Sequence, residues 1–245
     1  VKMLRLENKI AVITGSDRGI GAAIANAYAG EGAKVVITYF KQRKKAQEVA
    51  KKINADLMLQ LDVKNRAGVR KMFKEIKKKY GRVDILVNNA GINRPADFNQ
   101  QTDKDWDEVL AVDLKGVFIC CQEALPYMSD NGRIINIGSL SGQYGGPRTP
   151  AYAAAKAGVI ALTHCLARFV AKRGITVNCI SPGVIQSELT KNTMPDALRR
   201  YILPQILLGR FGRYDELTEA AIFLASDGSS YMTAQTININ GGIWT

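Results

Sequence analysis

The feature that most constrains this chain is an alternation along its length. Short, β-branched apolar runs at residues 10–14, 34–39, 56–61, 83–88, 133–138, 175–180 and 236–239 are separated by longer segments of helical period. The runs are continuously apolar, which is the pattern of strands covered on both faces. Between them, residues 19–31, 44–53, 66–80, 104–128, 152–172 and 216–226 read as helices, with Ile20, Ile24, Ala27 and Tyr28 forming one buried stripe. Strand and helix succeed each other almost to the end. The expected fold is therefore α/β: a Rossmann-like, doubly wound parallel sheet of about seven strands with helices on both faces.

No fixed-period repeat, low-complexity tract or Pro/Gly/Ser-rich linker divides residues 1–245, so a single domain is expected over that span. One interruption, at 186–212, follows the sixth run and carries Pro195, Pro204, Arg199 and Arg200, the composition of a substrate lid. Four cysteines, Cys120, Cys121, Cys165 and Cys179, form no C-x-x-C pair, and His164 is the lone imidazole, so no metal site is expected. Residues 1–7 lack the apolar core of a signal peptide, and no apolar run reaches the roughly 18 residues of a bilayer span, so the expectation is a cytoplasmic protein without a membrane partner.

The formal net charge of +12 would suit a nucleic-acid binder, a membrane-surface protein or an enzyme with anionic ligands. Its distribution is uneven. Between Lys41 and Lys79 there are 14 basic residues against four acidic ones, leaving the rest of the chain close to neutral. The basic stretch has no nucleic-acid recognition motif and lacks a set of aromatics interleaved with its lysines, Phe73 standing alone, so nucleic acid is not an expected partner.

Thr14-Gly15-Ser16-Asp17-Arg18-Gly19-Ile20-Gly21 joins the first strand to the first helix. Glycines there admit positive φ and close backbone approach, and the free N–H groups of a helix start favour an anion. The spacing G-x-x-x-G-x-G differs from the common G-x-G-x-x-G fingerprint, and alone it fits a tight βα turn equally well. Its place at the carboxyl end of the first strand favours the ligand reading. An acid about 20 residues further on would normally grip an adenosine 2′-hydroxyl, yet Tyr39-Phe40-Lys41-Gln42-Arg43-Lys44 contains no carboxylate. A 2′-phosphate held by Arg18, Lys41 and Arg43 suits this stretch, so NADP(H) is expected over NAD(H); a solvated, lysine-rich helix start is the alternative.

Tyr152 and Lys156 stand at i and i+4 on one helix face. A nearby ammonium stabilises phenolate, so such a pair can hand a proton to a developing alkoxide. By itself the spacing is more often an ordinary surface contact. Here Ser139 precedes it in Ile137-Gly138-Ser139-Leu140-Ser141-Gly142, where a hydroxyl could polarise a substrate carbonyl.

With these residues in view, the chain closely resembles the short-chain dehydrogenase/reductase family over essentially its whole length. Thr14-Gly15-x-x-x-Gly19-x-Gly21, Asp62-Val63, Asn88-Asn89-Ala90-Gly91, Ser139, Tyr152 with Lys156, Pro182-Gly183 and Asn240-Gly241-Gly242 occur in family order. The resemblance implies an oxidoreductase with a nicotinamide cofactor, Tyr152 as general acid/base and Ser139 orienting the carbonyl. It further implies that Lys156 holds the nicotinamide ribose and eases proton loss from Tyr152. Asp62 and Val63 would meet the adenine, and Asn89, Ala90 and Gly91 would line the cofactor. Pro182, Gly183, Val184, Ile185 and Ser187 would contact the nicotinamide end.

Three positions depart from the family pattern. Asp113 aligns with the fourth catalytic residue, an asparagine, and is included as catalytic; a carboxylate there could raise the titration of Lys156. Ala234 stands where glycine is usual and Asn240 where aspartate is frequent, both away from the chemistry.

The expected reaction is hydride transfer from NADPH to a ketone, with 3-oxoacyl thioesters on a carrier protein or coenzyme A as the favoured substrates. Sugar or polyol oxidation is the alternative within the family, and a non-catalytic NADP(H) sensor or scaffold the alternative outside it. Arg173 and Lys172 fit a basic carrier-docking patch, whereas Asp130 puts a negative charge where such reductases often have a positive one. Substrate contacts are expected from residues 93–96 and 140–144 and the segment after Ser187, with Arg94 and Tyr144 either substrate-facing or structural. A homotetramer built through the helices of Asp113 and Tyr152 and the last strand is the family expectation.

Overall fold

The computed structural model describes residues 3–186 and 196–244. Seven parallel strands form one sheet: β1 (Ile10–Ile13), β2 (Lys34–Tyr39), β3 (Leu57–Gln60), β4 (Val83–Asn88), β5 (Met128–Ile137), β6 (Thr176–Pro182) and β7 (Thr236–Ile239). Their spatial order is β3-β2-β1-β4-β5-β6-β7. The chain runs outward from β1 to β3, then crosses back to lay β4 against the other side of β1. That reversal opens a crevice above the carboxyl ends of β1 and β4, the place where open α/β sheets bind ligands.

The apolar runs divide their side chains between two cores. In β1, Ile10 and Val12 face a core shared with α3 (Arg66–Tyr80), α5 (Gly116–Ala124) and α7 (Pro150–Val170). Ala11 and Ile13 face the opposite core, built with α1 (Gly19–Gly30), α2 (Arg43–Lys52) and α9 (Tyr214–Ala225). Burial on both faces is why these runs are continuously apolar. The outer strands β3 and β7 are the exception, because an edge strand has a neighbour on one side only; they are largely half-buried.

The expected helix at 104–128 is three pieces: α4 (Asp103–Leu110), a π-helical turn (Ala111–Lys115) and α5. It also stops short, because Pro126 cannot continue it, and β5 begins at Met128 rather than at residue 133. Two short helices had no clear periodic signal, α6 (Ser141–Tyr144) and α8 (Asp196–Ile202), the latter inside the 186–212 segment. Residues 187–195 of that segment, Ser187 included, lie outside the described residues.

By length and composition Pro150–Arg173 is long and apolar enough to cross a membrane, which the run-length reading above did not allow. Its inner face is spent in the core, with Val159, Leu166, Ala167 and Val170 buried against the sheet. The same face brings Lys156 to the end of β5.

Candidate active site

An open cavity of about 750 Å³ runs over the carboxyl ends of β1 and β4. At one end lies the glycine loop. Gly15 (φ +63°) and Gly19 (φ +58°) adopt the left-handed backbone that side chains disfavour, and a Cβ on Gly15 would stand 3.1 Å from Ala90 Cα. Gly21 is tighter still: a side chain there would strike the Asn89 amide and the Gly15 carbonyl. The Asn89 amide ties the two strand ends together, donating to Thr14 O at 3.0 Å and Gly15 O at 2.9 Å. Thr14 Oγ1 accepts in turn from the N–H groups of Asn89 and Ala90. This lattice leaves the α1 N-terminus open toward the cavity, a cradle for an anion.

Beyond the loop the cavity carries more cations than carboxylates: Asp17 and Asp62 also line it, and Lys64 Nζ lies 3.9 Å from Asp62 Oδ2. Arg18, Lys41 and Lys64 border it together with Phe40 and Gln42, and Lys41 Nζ lies 5.3 Å from the centre of the Phe40 ring. No carboxylate occurs at the end of β2, so an adenosine 2′-phosphate fits this corner better than a bare hydroxyl. Leu61 and Val63 supply apolar walls for a base, and Asp62 is held by its Oδ1 accepting from the Lys64 N–H at 3.0 Å.

Most of the expected cofactor residues meet here: Gly15, Asp17, Arg18, Gly19, Ile20, Lys41, Asp62, Val63, Asn89, Ala90, Gly91, Pro182, Gly183 and Ile185 all line the cavity. Others take structural places. The Ser16 hydroxyl is buried, donating to Ile13 O and accepting from the Thr38 N–H at 2.9 Å, which locks the loop to β2. Tyr39 is packed in the core, and its neighbour Phe40 takes the cavity wall instead. Arg43 starts α2 away from the cavity lining, and Val184 borders a smaller cavity beside Leu207 and Asn240. Lys64, Phe40 and Tyr214 line the cavity without having been singled out from the sequence.

At the other end, Ser139 and Tyr152 face the same cavity. Their approach depends on Gly142, where a Cβ would lie 2.6 Å from the Lys156 carbonyl carbon; its absence lets α6 rest directly on the α7 backbone. Ser139 Oγ accepts from the Ser141 N–H at 3.1 Å, which leaves its proton free to donate into the cavity. Behind Tyr152, Lys156 is buried. Its Nζ donates to Ile137 O at 3.0 Å, lies 3.2 Å from Asp113 Oδ2 and sits 5.4 Å from the Tyr152 ring centre.

Asp113 owes its inward direction to the π-helical turn, a local widening that often marks functional positions. Burial pushes its carboxyl upward, opposed by the Lys156 ammonium and the Ile92 N–H. For Lys156, burial works against the charge, yet Tyr152 and Asp113 outweigh it and the net direction is upward.

Of the substrate-facing residues, Arg94 borders the cavity and pairs with Glu108 at 3.1 Å. Tyr144 is half exposed on α6; burial raises its phenol, with Tyr201 of α8 as the second cause, which puts the described end of the 186–212 segment beside it. Arg173 is committed: it donates to Asp130 at 2.9 Å and to the carbonyls of Leu125 and Met128.

Residues 15–244 match the family model described as "Enoyl-(Acyl carrier protein) reductase". A 3-oxoacyl-[acyl-carrier-protein] reductase of Staphylococcus aureus is 42% identical over 242 residues, covering 96% of this chain and 98% of the relative. The enzyme of that name from Escherichia coli is 40% identical over 98% of this chain and 99% of its own length. Among solved structures, a double mutant of a Serratia marcescens short-chain dehydrogenase/reductase superposes with a TM-score of 0.92 at 32% identity, covering 98% of this chain and 99% of that one.

Proposed function

The chain belongs to the short-chain dehydrogenase/reductase family, and from that premise we propose that it is an NADPH-dependent reductase of 3-oxoacyl thioesters. The observation that carries this reading is one cavity with a cationic glycine cradle at one end and the Ser139 and Tyr152 hydroxyls at the other. The full-length relatives support ketone reduction over the enoyl reduction in the family model's description.

Arg18, Lys41 and Lys64 would hold the 2′-phosphate of NADPH, and the loop from Gly15 to Gly21 its diphosphate. Bound there, the cofactor supplies hydride to the carbonyl carbon. Ser139 donates a hydrogen bond to the carbonyl oxygen, keeping its own proton, and fixes its direction. Tyr152 gives a proton to the same oxygen as negative charge gathers on it. Lys156, anchored by Ile137 and Asp113, stabilises the phenolate left behind. Arg94, on the cavity wall, and Tyr144, on α6, would border the acyl side.

A carrier-protein thioester meets a modified docking surface, since Arg173 already has Asp130 as partner and Lys172 is left to act alone. Exposed apolar side chains on α5 and α7, Phe118 and Phe169 among them, support a homotetramer packed through these helices. In the cytoplasm, where NADP is kept reduced, reduction is the working direction. The test is NADPH oxidation with acetoacetyl-coenzyme A and a matching carrier thioester, against sugars and polyols with NADP⁺. Turnover of the thioesters, lost in Tyr152→Phe with NADPH binding intact, is expected; turnover confined to polyols would overturn the substrate class, and none with any substrate would leave a cofactor-binding sensor.

A further inference from the structure

The carboxylate of Asp113 is enclosed on every side. Oδ1 accepts from the Ile92 N–H at 2.8 Å, and Oδ2 lies 3.2 Å from Lys156 Nζ. The same Oδ2 is 2.7 Å from where a side chain on Gly91 would begin. The buried ammonium also donates to Ile137 O at 3.0 Å, and that partner is neutral. Among the described residues Asp113 is the carboxylate within ion-pair range of Lys156.

We propose that Asp113 is the counter-ion of Lys156, a positioning residue that keeps Tyr152 protonated, and the reductive reaction running, to more alkaline pH than an amide at this position would. The proposal rests on the ketoreductase reading for its kinetic consequence alone. An unpaired ammonium beside a phenol stabilises phenolate and depletes the proton donor as pH rises. A carboxylate on the same ammonium cancels much of that field. Asp113 Oδ2 lies 3.2 Å from Lys156 Nζ, which is 5.4 Å from the Tyr152 ring centre; as a general scale, a unit charge about 7 Å away at an effective dielectric of about 20 moves a titration by roughly 1–2 pH units.

Other groups around the pair do not compete with this effect. Cys179 on β6 is pushed up to about 11 by burial and stays neutral through the working range. At the cavity mouth Arg94 and Glu108 neutralise each other at 3.1 Å. Asn88 and Asn136, bonded to each other beneath the site, carry no charge.

Asp113→Asn keeps the shape of the side chain and an acceptor for Ile92. The decisive measurement is the near-ultraviolet phenolate titration of the NADP⁺ complex, taken as wild type minus Tyr152→Phe and again in the Asp113→Asn background. That difference isolates Tyr152 and needs no substrate. The expected result is a shift of about 1 unit or more toward lower pH, matched by the alkaline limb of reductive kcat/KM with NADPH. The same shift is expected of Asp113→Ser, so the test does not hang on one variant folding.

A titration that moves by less than about 0.3 unit, or upward, overturns the counter-ion role, since even one exposed charge at this range should exceed that. Loss of activity at every pH with the titration unmoved overturns it as well, in favour of a direct part in proton transfer. If the titration moves as stated while wild type turns over no ketone, the counter-ion assignment stands and the ketoreductase reading falls.

Discussion

Replacing Arg18 and Lys41 by alanine, singly and together, should convert an NADPH enzyme into one that barely distinguishes NADPH from NADH. Both side chains border the adenosine end of the cavity, and neither has a carboxylate partner among the described residues. Their charge is therefore available to a ligand. In water a unit charge pair at 4 Å is worth about 1 kcal/mol, and a phosphate carries close to two charges, so each cation contributes about 1–2 kcal/mol before screening. Salt at about 0.15 M trims this for groups at the cavity rim. Each single variant should then lose about 5-fold in the ratio of kcat/KM for NADPH over NADH, and the pair about 25- to 30-fold, with Lys64 supplying the remainder. The assay is initial-rate kinetics with both cofactors at one saturating ketone concentration. Because the contribution is electrostatic, the wild-type preference should grow as ionic strength falls, and the double variant's, resting on Lys64 alone, should grow less. A double variant that keeps the ratio within about twofold of wild type, a change of about 0.4 kcal/mol, would refute the assignment. So would wild type preferring NADH.

Three further outcomes follow from the geometry. Tyr152→Phe should lower kcat by about 10²–10⁴ with NADPH affinity unchanged, as read by cofactor fluorescence, since it removes the proton donor and leaves the glycine cradle intact. Gly142→Ala forces a methyl to within 2.6 Å of the Lys156 carbonyl carbon; overpacking of this kind costs about 1–3 kcal/mol, and both the thermal midpoint and kcat should fall because α6 must lift off α7 and take Ser139 with it. Glu123 is held at about 2, from an ordinary 4.5, by hydrogen bonds from Arg70 and Arg66. A depressed carboxylate stabilises the fold above its unfolded value and loses that contribution as pH falls toward its folded one. The stability gap between wild type and Glu123→Gln should therefore be open at pH 7 and close as pH drops from about 4.5 to about 2 in chemical denaturation.

What the sequence made legible, and what it did not, follows from the range of the forces involved. Strands covered on both faces write themselves as unbroken apolar runs, so the sheet core could be read directly. The glycine loop was legible as well, because Gly15, Gly19 and Gly21 are fixed by local backbone angle and close approach. Residues whose position depends on a distant segment were not. Lys64 enters the cavity only because β3 lies two strands from β1, and Tyr214 only because α9 packs against α1. Ser16 and Tyr39 sit within the motif and yet face the core, since neighbouring residues on a strand or turn point to opposite sides. The π-helical turn leaves no periodic trace, so the family resemblance could set the Asp113 carboxylate near Lys156 but the sequence could not show the turn that aims it there.

The basic surplus that first suggested an anionic partner has to be divided before it explains anything. Of the basic residues between Lys41 and Lys79, only Lys41 and Lys64 border the cavity. Arg66 and Arg70 converge on Glu123 at 2.7 and 2.9 Å, fastening α3 to α5, and Lys79 caps the carbonyl of Asp56. The remaining lysines of α2 and α3 are solvent-facing charge on helices whose opposite faces are buried in the core. Such charge acts at a distance: it raises the local concentration of a polyanion near the adenosine corner without contributing a specific contact. Selectivity for the 2′-phosphate then resides in the few cations at the cavity wall, and capture rate in the many outside it. The two are separable, because removing Lys44, Lys45, Lys51 and Lys52 together should slow NADPH association at low salt while leaving the NADPH to NADH ratio where it was.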